Sequence, residues 1–320
     1  MSFWCSNTIK NLLTLIVNIL CSGCVSLFLQ LLVNGLIAGA IYSLVASGFS
    51  LIYSTNKFVH FAHGATVAFS AYMFYAIFSL WHVELWASVI LALALGAGLG
   101  YIMNLLVYSR LRKQKASALI QLVASVALLI LIESLILLFF GADVKSIDLI
   151  KVEKGLEFFG AIITPLQILI IIVAAVLLGL LYFFMKRTKL GKAMRAVADN
   201  KDAAEIVGIS AKKIFAWSFV VGSLIAGIAG ILVGLEQNLE PMMGTNLMIK
   251  GFTGAVIGGI SSVPGAILGS FLLGFTENFG IWFLPSGYKD AIAFVLLFVF
   301  LLFRPQGLLG IKRSGDREKA

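Results

Sequence analysis

KRTKLGKAMRAVADNKDAAEIVGISAKK, residues 186–213, is the longest polar run in the chain, and the segments on both sides of it are apolar enough to cross a bilayer. Eight of its residues are Lys or Arg and three are Asp or Glu. A run this basic between two spans belongs on the cytoplasmic side, because Lys and Arg near span ends set orientation. That placement fixes the direction of every other segment. Arg110, Arg112, Lys113 and Lys115 form a second basic loop, and Arg304, Lys312, Arg313, Arg317 and Lys319 make up a third. The loops between them are acidic or neutral. Trp81 and Trp86 bracket a short outer turn, as an interfacial aromatic pair would.

Composition agrees with this reading. The 320 residues are 60% hydrophobic and 12% charged, so a soluble domain of this size would lack polar surface. Apolar runs of about 18–25 residues match a ~30 Å hydrocarbon core crossed by helices. A membrane β-barrel would instead alternate in segments of ~10 residues. The expected fold is therefore an all-α polytopic membrane protein, with about 8 spanning helices plus a broken or re-entrant Gly-rich helix pair. The helices are expected near 12–33, 36–53, 59–80, 86–108, 117–140, 162–185, 214–235 and 289–303. The net charge of +9 is absorbed by the cytoplasmic loops, so the expected contact is membrane lipid and no nucleic acid.

The Gly-rich stretch 249–277 follows from parity. The chain is outside at Glu240 and inside at Arg304, and 289–303 supplies one crossing. The stretch must then cross an even number of times or enter and leave on one side. GGISSVPG (258–265) breaks it into two half-helices around an unwound middle. Such a break survives only where protein or a watery cavity satisfies the backbone. It marks either a substrate path or a hairpin packed through small residues. NGLIAG (34–39) and GSLIAG (222–227) each lie in a small-residue helix followed by an interruption, in opposite orientations. That is the outline of an inverted repeat.

Polar residues within spans are few. His60 and His63, at i and i+3, share a face at the start of a span and read as polar lining; a metal site would need further ligands. Glu133 is mid-span, a functional candidate whose partner the sequence does not show. Glu277 and Asp290 are expected at the outer interface. Cys5, Cys21 and Cys24 crowd the first 24 residues and provide no disulfide framework. HExxH, GxSxG and GxxxxGK[ST] are missing, so no enzyme is expected, and energy for any pumping must come from a partner.

Within the opening run, DAAEIVG (202–208) favours a short helix stopped by Gly208 and capped by Asp199 or Asn200, with Ala203 and Ala204 leaving a low surface for another protein. This pattern resembles the EAA loop of ABC-importer permeases. NGLIAGAIYSLVASGFSLIY (34–53), FVHFAHGATVAFSAY (58–72), LGKAMRAVADNKDAAEIVGIS (190–210), GAVIGGISSVPGAILGSFLLGFTEN (254–278) and YKDAIAFVLLFVFLLFRPQGLLG (288–310) extend the likeness. From about residue 27 to 310 the chain is similar to LivH-type permeases of branched-chain amino acid ABC importers.

The resemblance implies a multi-pass subunit of the bacterial inner membrane that forms half of a path for Leu, Ile, Val or related amino acids. It implies coupling to ATPases through a 191–208 helix, with Gly191, Arg195, Asp199, Asp202, Ala203, Ala204 and Gly208 at that contact. Polarity within the interrupted helices, rather than the resemblance, points to Asn34, Tyr42, His60, His63, Gly258, Gly259, Ser261 and Ser262 as path residues. No cofactor would be bound by this chain; ATP and Mg would sit on partner subunits. Implied partners are a second, LivM-like permease subunit, two cytoplasmic ATPase subunits and an external solute-binding protein. Residues 1–26 would be an extension outside the permease domain 27–310, and 311–320 a basic cytoplasmic tail. The chain departs from the family pattern at His60, where Asn is usual, at Ala65, often acidic, and at Ser261, usually Gly. These departures bear on the substrate. The competing expectation is a stand-alone channel or secondary transporter for small polar solutes such as amides or urea.

Overall fold

The computed structural model describes residues 2–147, 155–158 and 160–310, with side chains from residue 25 onward except that of Phe158. The three cysteine side chains and Lys312, Arg313, Arg317 and Lys319 lie outside this set. Helix α1 (Ser2–Asn56) is followed by α2 (His63–Tyr75), which runs on through a π-helical turn, Ala76–Leu80. α3 (Leu85–Met103) continues through a second π-helical turn into α4 (Ser109–Lys113). Then come α5 (Ala118–Phe140), a short hairpin of β1 (Leu156–Phe158) and β2 (Ala161–Ile163), and α6 (Pro165–Arg187). The cytoplasmic pair α7 (Lys189–Asp199) and α8 (Lys201–Ile206) leads into α9 (Ala211–Glu236). α10 (Met243–Gly258), α11 (Val263–Gly280) and α12 (Lys289–Phe303) complete the chain.

Among the described residues, six helices are long and apolar enough to cross a membrane, or seven if the α10–α11 pair, bent by 114°, counts as one span. The all-α polytopic class holds, and three of the expected helices are revised. The expected pair 12–33 and 36–53 is one continuous helix. Gly35, between those two expected segments, lies within the helix and serves packing: a Cβ there would stand 3.1 Å from the Phe275 Cα of α11. The expected span 59–80 starts later, at His63, after a turn in which Lys57 has positive φ and the His63 amide bonds the His60 carbonyl. His60 therefore precedes the helix, and the two histidines do not share a helical face.

α2 begins deep in the bilayer. A Cβ on Gly48 would stand 2.9 Å from the His63 ring, and Gly48 lies eight residues, about 12 Å, inward from the cytoplasmic end of α1. α10 begins beside it. A Cβ on Gly64 would stand 2.4 Å from the Gly244 carbonyl oxygen, and one on Gly244 would stand 2.3 Å from the Gly64 carbonyl oxygen. These are the second residues of α2 and α10, so two half-helices cross at their N-termini with no side chain between them.

This reciprocal contact lies on a pseudo-two-fold relation. Residues 57–62 connect α1 to α2, and 237–242, a connector of equal length, join α9 to α10. α3 packs on α9 as α11 packs on α1, and α2 packs on α5 as α10 packs on α12. Equal connectors fix the register, which pairs GSLIAG (222–227) with YSLVAS (42–47) rather than with NGLIAG (34–39). Ser43, Leu44 and Ala46 then match Ser223, Leu224 and Ala226. α3 seats against this core through glycine notches, with the Ser70 hydroxyl at Gly96 and the Ser223 hydroxyl at Gly100.

The break expected at 258–265 is present, as parity required. Gly259 takes φ +113, open to glycine at little cost. Protein satisfies the freed backbone: the amides of Leu308 and Leu309 donate to the carbonyls of Ile257 and Gly258 at 2.9 and 2.8 Å. The Ser50 hydroxyl donates to the Ile260 carbonyl at 2.9 Å, and the Ser262 hydroxyl caps α11 at the Gly265 amide.

Candidate functional site

The polar residues fall into separate places along the bilayer normal. At the cytoplasmic face, Thr188 ends α6 and caps α7, its hydroxyl accepting from the Gly191 amide at 3.0 Å. Gly191 lets α7 fold back under α6, because a Cβ there would stand 2.2 Å from the Phe184 carbonyl oxygen. α7 buries Gly191, Met194 and Val197 and exposes Lys192, Arg195 and Asp199, an amphipathic helix lying under the bundle. The run is broken at Asn200, so 191–208 is two helices. Of the two proposed caps, Asn200 does the work: its side chain accepts from the Ala203 amide at 3.0 Å.

α8 buries Ala204 and exposes Asp202, Ala203 and Glu205. Gly208, at φ +87, closes it, with the Gly208 and Ile209 amides donating back to the Glu205 and Ala204 carbonyls. Ile206 and Val207 stand 85% and 74% exposed at the tip. Two bare aliphatic side chains thus stand on a charged cytoplasmic platform, a feature that residue-type reasoning passed over; the signal was an aliphatic pair just before the stop glycine.

Above the platform, three helix ends are stitched together. The Arg112 guanidinium donates to the side-chain oxygens of Asn56, at 3.0 Å, and Asn104, and it lies 4.8 Å from the centre of the Phe215 ring. Asn56 also donates to the Ser218 hydroxyl at 3.0 Å. His60 is fully buried; its Nδ1 shares a 2.9 Å hydrogen bond with the Tyr108 hydroxyl, and its ring packs among Phe58, Tyr108 and Phe219. His63, equally buried, lies against α1 at Gly48.

A charge network fills the outer third. The Lys250 ammonium donates to Glu277 Oε1 at 2.5 Å and to Asp290 Oδ1 at 2.8 Å. The Tyr42 hydroxyl donates to Glu277 Oε2 at 3.0 Å. Glu277 is 1% exposed, which corrects its expected place at an aqueous interface; the ammonium opposite it is what makes the burial tolerable. Asp290, 76% exposed, fits that expectation. Glu133 also gains a partner: its Oε1 accepts from the Thr245 amide at 3.1 Å and the Thr245 hydroxyl at 2.7 Å, at the N-terminus of α10.

The expected path residues thus do not form one cluster. Asn34 accepts from Gln30 on the outer half of α1, and Tyr42 joins the charge network. His60 and His63 lie at the half-helix crossing. Gly258, Gly259, Ser261 and Ser262 meet at the α10–α11 bend, beneath the segment 304–310.

Crossed half-helices, an inverted repeat and an amphipathic cytoplasmic platform define a multi-pass transport subunit. A family model described as branched-chain amino acid transport system, permease component, matches residues 31–301. The high-affinity branched-chain amino acid permease protein BraD of Pseudomonas aeruginosa is 35% identical over 291 residues, covering 86% of this chain and 94% of that protein. LivH of Escherichia coli K12, a permease protein of the same kind of system, is 32% identical over 290 residues, 86% of this chain and 93% of that protein. The probable LivH of Methanocaldococcus jannaschii is 27% identical over 296 residues, 86% and 92% of the two chains. The chain belongs to the family of branched-chain amino acid transport system permease components. It is a transport subunit of the cytoplasmic membrane and not an enzyme.

Proposed function

We propose that this chain is one of two membrane subunits of an ATP-driven importer for branched-chain or related amino acids. Residues 27–310 form the permease unit, with 1–26 an added N-terminal segment and 311–320 a cytoplasmic tail. An external binding protein delivers the substrate, and a second permease chain completes the path. Two cytoplasmic ATPase subunits, carrying ATP and Mg, grip α7 and α8. Arg195, Asp199, Asp202 and Ala203 meet the ATPase directly, while Gly191, Ala204 and Gly208 shape the platform. Asn34, Tyr42, His60 and His63 act along the path, and the bend at Gly258, Gly259, Ser261 and Ser262 moves with it.

The observation that carries the reading is the exposed Ile206–Val207 tip on a helix capped at both ends and seated on the bundle through α7. Such a lever passes motion from a docked partner into α6 and α9. The test is co-purification with candidate ATPases and binding protein, then substrate-stimulated ATPase activity over an amino acid panel. Ala203→Trp and Ile206→Asp are expected to abolish stimulation while the chain inserts normally. Wild-type stimulation in both variants would overturn the coupling assignment. Uptake by the purified chain alone in liposomes would overturn the importer reading.

A further inference from the structure

Glu133 sits seven residues, about 10 Å, inside the outer end of α5, well within the hydrocarbon depth. It is half-buried, at the border between the packed face of α5 (Leu129, Ile132, Ile136) and its open face (Ile130, Leu137). Among the described residues, no Lys, Arg or His forms an ion pair with it. Both hydrogen bonds from Thr245 go to the same oxygen, Oε1. The two bonds hold Oε1 where α5 meets the N-terminus of α10, the α5–α10 seam. A carboxylate at this depth is strongly disfavoured against lipid, so such groups face a bundle interior or a watery cavity.

We propose that the α5–α10 seam lines the transport path and that Glu133 reads the ammonium group of the passing amino acid. The substrate part of this statement rests on the importer reading above. A zwitterion leaving water needs an anion for its ammonium end, and Glu133 supplies one that is already oriented. It is a specificity-determining residue for the transport step, with Thr245 as its positioning residue. A purely capping role makes a different prediction. Glu133→Gln keeps a carbonyl oxygen for Thr245 and removes only the charge, so a cap would tolerate it.

The experiment uses the full chain at its native locus, with Cys5, Cys21 and Cys24 replaced by Ser. Ile130→Cys, one turn from Glu133 on the open face, is labelled in right-side-out vesicles with cationic or anionic methanethiosulfonate reagents. Rates are normalised to Val144→Cys in the outer loop, where the side chain is 54% exposed. The cationic reagent is expected to react about tenfold faster than the anionic one, the ratio that opposite reagent charges give near 6 Å from one carboxylate in water. Adding Glu133→Gln is expected to erase the preference and to cut amino acid uptake at saturating binding protein about tenfold. No labelling of Ile130→Cys while Val144→Cys reacts would place the seam against lipid or a sealed contact and overturn the proposal. A preference that survives Glu133→Gln, or full uptake by that variant, would also overturn it. Wild-type vesicles that take up no amino acid would instead overturn the importer reading, and the labelling ratio would still decide whether this face is watery and governed by Glu133.

Discussion

Replacing Lys250 with Met removes one ammonium from a network whose members have very different exposure. Glu277 is 1% exposed and would keep the Tyr42 hydroxyl, 3.0 Å away, as its hydrogen-bond donor, with Lys289 the remaining cation that acts on it. Breaking a buried pair by deleting one partner costs about 3–5 kcal/mol, because the remaining charge has no compensation. Lys250→Met is therefore expected to lose about 3–5 kcal/mol of stability, and Glu277→Leu less, because the ammonium keeps Asp290 at 2.8 Å. Asp290 bonds the same ammonium at 2.8 Å but is 76% exposed, so Asp290→Asn is expected to cost about 0–1 kcal/mol. The double variant Lys250→Met/Glu277→Leu removes both charges, and its loss should be smaller than that of Lys250→Met. Equilibrium unfolding of the purified chain in mixed micelles, titrated with SDS, measures all four. A loss below about 1 kcal/mol for Lys250→Met, or a double variant as unstable as the sum of the singles, would refute the argument that the pair is held by mutual neutralisation in a dry site.

At the half-helix crossing, Gly244→Ala places a methyl 2.3 Å from the Gly64 carbonyl oxygen, where backbone cannot yield. It is expected to destabilise the chain by about 1–3 kcal/mol, read as a lowered unfolding midpoint in the same titration. Arg112→Lys keeps the charge but loses the fork that holds Asn56 and Asn104 together. A loss of about 1.5–3 kcal/mol is expected, and an unchanged midpoint would show that the fork contributes nothing. Gly208→Val puts a β-branched residue at φ +87, costing about 1–2 kcal/mol locally. Because Gly208 has open space around it, the bundle should stay intact while substrate-stimulated ATPase activity falls, and normal stimulation would count against the platform's role.

The sites differ in how far the sequence disclosed them. The α8 cap was legible because Asn200 and Gly208 act on amides within a few residues of themselves. The break at 258–265 was legible for the same reason. The satisfaction of that break was not, since Leu308 and Leu309 lie some fifty residues away and are ordinary aliphatics in composition. Glu277 was misplaced because charge near a helix end usually means an interface, and nothing local reveals the Lys250 ammonium across the α10–α11 bend. The expected split between 12–33 and 36–53 failed because nothing local shows that Gly35 lies inside one continuous helix packed on Phe275.

The sequence by itself determined the membrane class, the orientation, the break in the Gly-rich segment and the capped cytoplasmic helix. Hydropathy, charge asymmetry and capping are short-range properties, written within one span or one turn. The tertiary structure alone decided that α2 and α10 start inside the bilayer and cross at Gly64 and Gly244, and which register relates the two halves. It also decided which partners hold Glu133 and Glu277. Those facts depend on helices far apart in the chain coming into contact, where glycine notches and buried charges select one packing among many that the same apolar pattern allows.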